Sequence, residues 1–387
     1  MTTVNALNAL VEENKHLKNK HQPNLKHNLD TEEPVANTET LKLERYNRQI
    51  QVPQIGYDGQ EKLANAHVAI IGMGGLGCPV GLYLAGAGVG KLTLIDHDVV
   101  SLNNLHRQVL YCEEDVNSFK SETAKKALTD INKEIQVNSH NVKLMPSNIA
   151  DLLLDVDVLV DATDNFTISY LLSDYAQKNN KPLVSASVMG VVGYVGVYCY
   201  GTAANNIRLP SLRAVFPNPP EVGQDCNSIG VIGTASGMMG TLQAQEVMKV
   251  ILGDSNQLAG RLLSIDLWTY RQSIMDFSNA PEPINKAIII SANQIDESDF
   301  IIDVRSHQEV IHQPKILKTK ASKAKASKNR QVHHYPMEDN VVNNIMQTVN
   351  DLAINRRLVL TCQSGQRALN VADKLIEAGL NHVAVCI

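Results

Sequence analysis

A glycine-rich stretch at residues 72–77 has the composition of a phosphate-binding loop. Its glycines are Gly72, Gly74, Gly75 and Gly77. Glycine lets the backbone turn tightly and approach a phosphate, and the N–H groups of a helix that follows point at the anion. Asp96 ends the next apolar run, where a carboxylate can bond ribose hydroxyls. The pattern predicts a nucleotide site but does not decide between a dinucleotide and a mononucleotide.

Four charged residues favour ATP as the nucleotide. Three phosphates need several cations, and Arg48, Arg107 and Lys120 flank the glycine-rich stretch. Asp164 leaves the end of a predicted strand, where its carboxylate could hold Mg²⁺. A dehydrogenase would need none of the four. Any one of the basic residues taken singly could be a plain surface charge, so the prediction depends on the whole set.

A second reactive group is predicted at Cys362, in the sequence Cys362-Gln-Ser-Gly-Gln-Arg367. The backbone N–H groups of such a tight loop converge on the Cys362 sulfur, and a helix N-terminus together with Arg367 would stabilise its thiolate. Cysteine phosphatases need one residue more between Cys and Arg to enclose a phosphate, whereas the spacing here fits a sulfur atom. The sequence therefore predicts a nucleophilic cysteine rather than a structural one.

Alternating strands and helices are predicted to bring these residues to one edge of a sheet. Apolar runs predict strands at residues 68–71, 91–95, 157–161 and 182–186, and helices at 76–88, 120–132, 166–179 and 231–252. Antiparallel strand material follows at 191–200, and 261–266 is predicted as the last strand of this unit. The order is typical of an α/β fold, a doubly wound, Rossmann-like mixed sheet. A second, smaller α/β unit is predicted from residue 287 onward.

Composition argues against several classes of protein. The chain has 387 residues, a net charge of -5 and 4% aromatic residues, which gives neither an attraction for nucleic acid or anionic membrane nor a base-stacking surface. Six scattered cysteines form no close pair, so a reducing compartment is expected. No signal peptide and no stretch long enough to span a membrane are found, so we expect a cytoplasmic protein without membrane or nucleic-acid partners.

Seven motifs in this order and spacing resemble the ThiF/MoeB/HesA family of adenylating enzymes, which are related to ubiquitin-activating enzyme. The matching stretches are residues 45–49, 72–77, 94–98, 101–108, 120, 162–165 and 230–233. The resemblance implies ATP-dependent activation of the C-terminal glycine of a small ubiquitin-like sulfur-carrier protein. It implies nucleotide contacts from Gly72, Gly74, Gly75, Gly77, Asp96, Asp98, Ser101, Asn104, Arg107, Lys120, Asp164, Asn165 and Arg48.

Roles for five of these residues are also implied by the resemblance. Asp96 would bind the ribose, Arg107 and Lys120 the phosphates, and Asp164 the Mg²⁺ ion that accompanies ATP. In this family the arginine that matches Arg48 reaches into the site of the partner subunit. A homodimer is therefore implied.

The Cys362 loop resembles a rhodanese domain, with Ile302-Asp303-Val304-Arg305 upstream as a second matching stretch. With both resemblances in one sequence, the whole chain resembles the fused adenylyltransferases and sulfurtransferases that serve molybdopterin (molybdenum cofactor) or thiamine biosynthesis. A persulfide on Cys362, charged by a donor such as a cysteine desulfurase, would then convert the activated glycine into a thiocarboxylate. Cys362, Arg367, Cys226, Arg107 and Asp164 are the predicted catalytic residues.

The domain boundaries follow from these assignments. Residues 1–40 are predicted to be a disordered polar arm, 41–276 the ATP-binding adenylyltransferase domain, 277–286 a linker and 287–387 the rhodanese-like domain. The rhodanese-like part stops before the glycine-rich end that is usual in its family. Residues 315–330, rich in lysine and free of acidic residues, are predicted to be a solvated loop rather than a docking segment.

The resemblance to the family does not extend to its structural zinc site. Family members commonly bind a structural zinc ion through two Cys-x-x-Cys pairs, whereas residues 207–213 contain neither Cys nor His. We therefore expect no zinc site.

Cys226 is a candidate for a second thiol in the reaction. It matches in position a loop cysteine of relatives of this family, after a proline-rich crossover and before a long helix. Attack by a Cys362 persulfide on an acyl-adenylate leaves the carrier joined to Cys362 by an acyl disulfide, and a nearby thiolate could reduce it by exchange. A buried structural thiol is the equally weighted alternative.

Two other functions remain open at this point. The same glycine-rich loop could serve an NAD-dependent oxidoreductase, against which Arg48, Arg107, Lys120 and Asp164 argue. The missing zinc ligands could indicate a non-catalytic scaffold that docks the carrier protein, against which Cys362 and Arg367 argue.

Overall fold

The computed structural model describes residues 38–202, 207–218, 230–313, 331–338 and 340–387. Within these residues the chain forms an eight-stranded sheet, a five-stranded sheet and a two-stranded ribbon. Of the predicted polar arm, residues 1–37 lie outside the described residues, and so does the whole lysine-rich segment 315–330. The first helix begins at Thr38, slightly before the predicted boundary at residue 41.

The first unit contains ten strands and eight helices in the described residues. Its strands are β1 (His67–Ile71), β2 (Lys91–Ile95), β3 (Gln136–His140), β4 (Val158–Asp161), β5 (Leu183–Met189), β6 (Val192–Tyr198), β7 (Gly201–Thr202), β8 (Ile207–Arg208), β9 (Arg261–Asp266) and β10 (Arg271–Asp276). Its helices are α1 (Thr38–Ile50), α2 (Gly56–Asn65), α3 (Gly77–Ala87), α4 (Lys120–Ile131), α5 (Ile149–Leu153), α6 (Phe166–Asn179), α7 (Leu212–Val215) and α8 (Gly233–Leu252).

The order of the strands creates a crevice beside β1. The large sheet runs β10-β9-β6-β5-β4-β1-β2-β3, and β3, β2, β1, β4 and β5 pair in parallel. The chain leaves β1 for β2 on one side and reaches β4 on the other. In open α/β sheets, ligands bind where the strand order reverses in this way, at the carboxyl ends of the strands. The fold therefore directs the segments that follow β1 and β4 to one place.

The second unit is a smaller parallel α/β sheet. Its strands are β11 (Ile288–Ile290), β12 (Phe300–Asp303), β13 (Val332–His334), β14 (Leu358–Thr361) and β15 (Val383–Cys386), in the order β11-β15-β14-β12-β13. Its helices are α9 (His307–His312), α10 (Val341–Asp351) and α11 (Gln366–Glu377). Helix α11 starts directly after the Cys362 loop, which places that loop at the carboxyl end of β14.

The sequence prediction missed five of the described strands, namely the short pair β7 and β8 and the strands β10, β13 and β15. Strand β10 is exposed at every position, so no apolar alternation marks it, and it is held by antiparallel backbone pairing with β9. The assignment of residues 261–266 as the last strand of the first unit was therefore wrong. Strands β13 and β15 are short, and each gains its regular structure from a parallel neighbour.

The two units pack against each other through a continuous hydrophobic core. Ile168 and Leu171 of α6 belong to the same buried cluster as Leu369 and Leu375 of α11. Arg213 also crosses the junction: its Nη2 donates to the Ala287 carbonyl at 3.3 Å and pairs with Asp174 at 3.0 Å. The Cys362 loop thus has a fixed place relative to the large sheet. No helix in the described parts of the chain is long and apolar enough to cross a membrane.

Candidate active site

A cavity of about 1100 Å³ opens at the carboxyl ends of β1, β2 and β4. It is lined by most of the residues for which nucleotide contacts were expected, namely Gly72, Gly74, Gly75, Asp96, Asp98, Ser101, Asn104, Arg107, Lys120, Asp164 and Asn165. Gly77 lies just behind them as the first residue of α3. The fold therefore brings together residues that are spread over nearly a hundred positions of the sequence, as expected from the strand order.

The glycine-rich loop is held close to the neighbouring strand. Gly72 has a φ of 91°, and a Cβ there would lie 2.6 Å from the carbonyl oxygen of Ala162. A larger residue would be strained in this backbone conformation and would also push β4 away. Asp96 fixes the loop from the other side, because its carboxylate accepts hydrogen bonds from Met73 N at 2.7 Å and from Asp98 N at 2.8 Å.

Asp96 is suited to receive further hydrogen bonds. Burial raises the pKa of its carboxyl group above the usual value, while the Asp98 N–H, Lys120 and the Met73 N–H act in the opposite direction. A carboxylate has about four lone-pair positions, and the two backbone donors leave room for ribose hydroxyls. The expected ribose role thus fits the geometry.

Two cations face the cavity from different elements. Lys120, the first residue of α4, is 6% exposed and its Nζ lies 3.0 Å from Asp98 Oδ2. Arg107 follows a short 3₁₀ helix, and its Nη1 lies 3.1 Å from the Asn103 carbonyl and 2.7 Å from His106 Nε2. Within the described part of the chain no carboxylate pairs with Arg107, so its charge is available to a phosphate.

Acidic and amide groups at the end of β4 complete the wall. Asp164 is exposed to the cavity, and Asn165 caps α6 by accepting the Thr167 N–H at 2.9 Å. Asp161, which the sequence reasoning did not single out, is fully buried behind them and accepts from Ser185 Oγ at 2.9 Å and Thr163 Oγ1 at 2.8 Å. Burial raises the Asp161 pKa.

These groups fit ATP with Mg²⁺. The loop backbone, Arg107 and Lys120 supply donors for phosphates, while Asp164 offers a hard oxygen ligand of the kind that Mg²⁺ prefers. The side-chain oxygen Oε1 of Gln108, a cavity-lining residue, is buried and has no hydrogen-bond partner among the described residues, so it can accept from a bound nucleotide or water.

Arg48 is separated from this cavity in its own chain. It lies on α1, which packs where α3 ends: Gln49 Nε2 donates to the Ala87 carbonyl at 2.9 Å, and Arg45 Nη1 to the Ile131 carbonyl at 3.2 Å. Helix α3 starts at the cavity and spans about 16 Å at 1.5 Å per residue. Arg48 is therefore at the opposite edge of the sheet.

The Cys362 loop has the geometry of a thiolate cradle. Cys362 Sγ accepts from Gly365 N at 3.2 Å and from Ala368 N at 3.5 Å, and the residue is 4% exposed. Arg367 forms a two-pronged ion pair with Glu309, at 2.6 Å and 2.5 Å. This pair raises the pKa of Arg367 and lowers that of Glu309 to about 2, so both remain charged and the guanidinium stays fixed beside the sulfur.

The upstream stretch of the second unit is also fixed by charge. The guanidinium of Arg305 donates to both carboxylate oxygens of Asp303, at 2.8–3.1 Å, and each residue is nearly fully buried. His334 Nε2 lies 2.7 Å from the Arg305 carbonyl oxygen. The pair orders the carboxyl end of β12, next to the strand that carries the Cys362 loop.

Several cavity-lining residues were missed by the sequence reasoning, and three of them are long polar side chains. Gln108 and Gln366 lie inside motifs that were recognised but were given no role of their own, and Lys143 lies outside every motif; all three line the cavity. Gln366 comes from α11 of the second unit, so its place could not be read from local sequence. Cys226, the candidate resolving thiol, lies outside the described residues.

The sequence model of the ThiF family matches residues 46–285, which include the whole cavity wall of the first unit. Similar proteins include an adenylyltransferase and sulfurtransferase MOCS3 of Culex quinquefasciatus, 45% identical over 224 residues, which are 57% of this chain and 50% of that protein. The protein of the same name from Aedes aegypti is 41% identical over 67% of this chain and 56% of its own length.

A plant protein is similar to the same extent. MOCS3-2 of Zea mays is 41% identical over 229 residues, 59% of this chain and 46% of that protein. The chain thus spans about half the length of the curated relatives it matches.

Solved structures share the fold of the first unit. The crystal structure of PaaA covers 70% of this chain and 82% of its own, with a TM-score of 0.53 and 25% identity. The structure of E. coli MccB with ATP has the same TM-score and identity, and covers 61% of this chain and 72% of its own. Both support the Rossmann-like mixed sheet described above.

Proposed function

The chain belongs to the ThiF family, and on that basis we propose that it adenylates the C-terminal glycine of a small ubiquitin-like sulfur-carrier protein and then transfers sulfur to it from Cys362. The pathway served would be molybdenum cofactor or thiamine biosynthesis. The names of the relatives from Culex, Aedes and Zea, which combine an adenylyltransferase with a sulfurtransferase, support both halves of this proposal.

One observation carries the proposal. Arg107, Lys120 and Asp164 converge with the glycine-rich loop on a single cavity, and the rim of that cavity includes Gln366, four residues after Cys362. A nucleotide site and a cradled cysteine are therefore neighbours, as a relay between adenylation and sulfur transfer requires.

In the first step, a carboxylate oxygen of the carrier attacks the α-phosphorus of ATP. A new P–O bond forms while the bond between the α- and β-phosphates breaks, and pyrophosphate leaves with the electron pair. Arg107 and Lys120 would neutralise the charge that grows on the phosphate oxygens. Mg²⁺, which Asp164 would hold, supplies further charge neutralisation when bound.

In the second step, the terminal sulfur of a Cys362 persulfide attacks the acyl carbon. The C–S bond forms and the C–O bond to AMP breaks, so AMP leaves with the electron pair. The product is an acyl disulfide between carrier and Cys362. A second thiolate attacks the Cys362 sulfur, so the thiocarboxylate leaves with the electron pair and a disulfide between the second thiol and Cys362 forms, which a thiol reductant must reduce before the next turnover. We propose Cys226 as the second thiol and a cysteine desulfurase type of protein as the donor that loads Cys362.

The two other functions have less support. An NAD-dependent oxidoreductase gives no role to the convergence of Arg107, Lys120 and Asp164, and the ThiF family match does not favour it. A scaffold without chemistry leaves unexplained why two N–H groups and a fixed guanidinium surround Cys362.

ATP–pyrophosphate exchange with purified carriers tests the proposed adenylation. We expect exchange that requires a carrier with an intact C-terminal glycine, and a side-by-side comparison of molybdopterin-type and thiamine-type carriers identifies the substrate. A carrier with its last glycine deleted is the matched control. Absence of exchange with every carrier, in protein shown to be folded, would refute the proposal.

We propose that the enzyme acts as a homodimer in which Arg48 completes the partner's site, since Arg48 lies at the edge opposite its own cavity. Mixing equal amounts of Arg48→Ala and Asp164→Ala subunits would then place one intact site in each heterodimer. Random pairing makes half of the dimers mixed, so we expect recovery of about a quarter of the parent exchange activity. No recovery in verified heterodimers would place Arg48 in its own chain's site or outside any site.

A further inference from the structure

The nucleotide cavity has one wall residue from the second unit. Gln366 is the first residue of α11, and all other lining residues found in the described parts of the chain belong to the first unit. It is half-buried, and its backbone N–H lies 3.5 Å from Ser364 Oγ. Its carboxamide forms no hydrogen bond with any other described residue. The second unit thus contributes a polar group with free hydrogen-bonding capacity to the wall of the nucleotide cavity.

The loop before Gln366 is fixed against the first unit. Asn165, itself a cavity residue, donates from Nδ2 to the Ser364 carbonyl at 3.2 Å. Gly365 has a φ of 90°, and a Cβ there would lie 2.9 Å from Thr167 Cγ2. Glycine therefore permits both the turn and the close packing of the loop on α6. Gln366, the next residue, is held at a defined place beside the start of α6.

The segment that follows β3 borders the cavity on the same side as the Cys362 loop. Ser147 N of that segment donates to Ser291 Oγ at 3.1 Å, directly after β11. The last residue of β11, Ile290, accepts from Ile387 N at 3.1 Å. A Cβ on Gly365 would lie 2.6 Å from Ile387 Cγ2. The segment after β3 and the Cys362 loop are thus both held against the end of β11.

This side of the cavity is where the base of a bound nucleotide would lie. Asp96, the expected ribose ligand, donates from its backbone N to the carbonyl of His140, the last residue of β3, at 3.2 Å. The wall next to it carries Val142, Leu144 and Phe166. Apolar side chains suit the faces of a purine ring, and a small number of polar groups then decides which base is bound. The base, which is attached to the ribose, would therefore lie between this apolar wall and Gln366.

The Gln366 carboxamide has the hydrogen-bonding groups that distinguish adenine. It carries one acceptor oxygen and an NH₂ group with two donors. A glutamine side chain pairs with adenine through two bonds, accepting from the 6-amino group and donating to N7. Guanine has two acceptors at the same edge, O6 and N7, and so offers no donor to the carboxamide oxygen.

We propose that Gln366 is the residue that selects adenine in the nucleotide cavity of its own chain, by donating to N7 and accepting from the 6-amino group. This role rests on the proposed function, because the nucleotide is the ATP that is consumed in adenylation. The loop that carries the sulfur then also forms part of the ATP site. The second unit therefore contributes to nucleotide binding as well as to sulfur transfer.

The test measures the affinities of ATP, GTP and 7-deaza-ATP, in which a CH group replaces N7, by calorimetric titration of the full-length chain with Mg²⁺ present. We expect the parent chain to bind ATP about tenfold more tightly than GTP, as for a two-bond contact to a base. Loss of the N7 bond alone should weaken 7-deaza-ATP about fivefold. Gln366→Met, which keeps the length of the side chain without its hydrogen-bonding groups, should bind ATP about tenfold more weakly and bind 7-deaza-ATP as well as ATP.

Gln363→Met is the matched control. Gln363 is the same residue type in the same loop, but it is exposed and absent from the cavity wall. Its replacement should leave all three affinities in place. A preference for ATP over 7-deaza-ATP that is as large in Gln366→Met as in the parent chain overturns the assignment.

The comparison of ATP with 7-deaza-ATP in the parent chain decides the matter even if Gln366→Met does not fold, as judged by its denaturation midpoint. Equal affinities there would also overturn the assignment. ATP–pyrophosphate exchange on the same preparations reports separately on the proposed function. Exchange without any N7 preference refutes the role of Gln366 alone, whereas adenine-selective binding without exchange refutes the adenylation.

Discussion

Replacing Cys362 with alanine is expected to abolish formation of the thiocarboxylate while ATP–pyrophosphate exchange continues. In the proposed reaction this residue carries the sulfur that attacks the acyl carbon, and its Sγ lies in the cradle formed by Gly365 N and Ala368 N. Loss of a nucleophile of this kind costs about 10³-fold or more in rate. Intact-protein mass spectrometry of the carrier measures the thiocarboxylate directly.

Cys386→Ala is the matched control for this experiment. Cys386 is also a buried thiol at the end of a parallel strand, 2% exposed, but it has no assigned part in the reaction. We expect it to retain sulfur transfer. Thiocarboxylate made by Cys362→Ala at the parent rate would show that another thiol carries the sulfur.

Intact-protein mass spectrometry also tests whether Cys226 is the thiol that releases the carrier from Cys362. Cys226→Ala should leave the carrier attached to Cys362 when no external reductant is present. Free thiocarboxylate made by this variant at the parent rate would return Cys226 to a structural role.

Replacing Asp164 with alanine is expected to lower ATP–pyrophosphate exchange by about 10²-fold or more, because the charge on pyrophosphate would lose the metal that neutralises it. Arg107→Ala should cause a loss of similar size, since within the described residues no carboxylate competes for its guanidinium. Initial rates of exchange at saturating ATP and at saturating carrier protein measure both effects.

Asp151→Ala provides the control for Asp164. Asp151 is an exposed aspartate on α5, and it is absent from the cavity wall. Its removal should leave exchange within about twofold of the parent rate, as for an ordinary surface substitution. Exchange by Asp164→Ala close to the parent rate would mean that this carboxylate does not hold the metal.

The candidate nucleotide site was largely foreseeable from the sequence. The glycine-rich stretch, Asp96, Lys120 and Asp164 each stand directly after or beside a predicted strand or helix end, whereas Arg107 lies in the polar segment between residues 95 and 120. Parallel strands point their carboxyl ends to the same edge, so an alternating pattern of helices and strands already predicts that these residues meet. The family resemblance added their roles, and the match over residues 46–285 confirmed the family.

Three further predictions from the sequence, on zinc, the homodimer and the sulfur donor, have not been tested and stay predictions. The absence of zinc remains a prediction, which elemental analysis of the purified protein can examine. The homodimer and the sulfur donor are likewise proposals, because a single chain shows neither.

Tertiary structure alone decided the relation between the two chemical groups. Nothing local in the sequence indicates that Gln366 of α11 lines the nucleotide cavity, or that Asn165 bonds to the Ser364 carbonyl. Such contacts join residues about two hundred positions apart, and they arise from the packing of α6 on α11 in a shared hydrophobic core. Sequence periodicity reports which face of a helix is buried, but the partner of that face is selected by shape and charge in the folded chain.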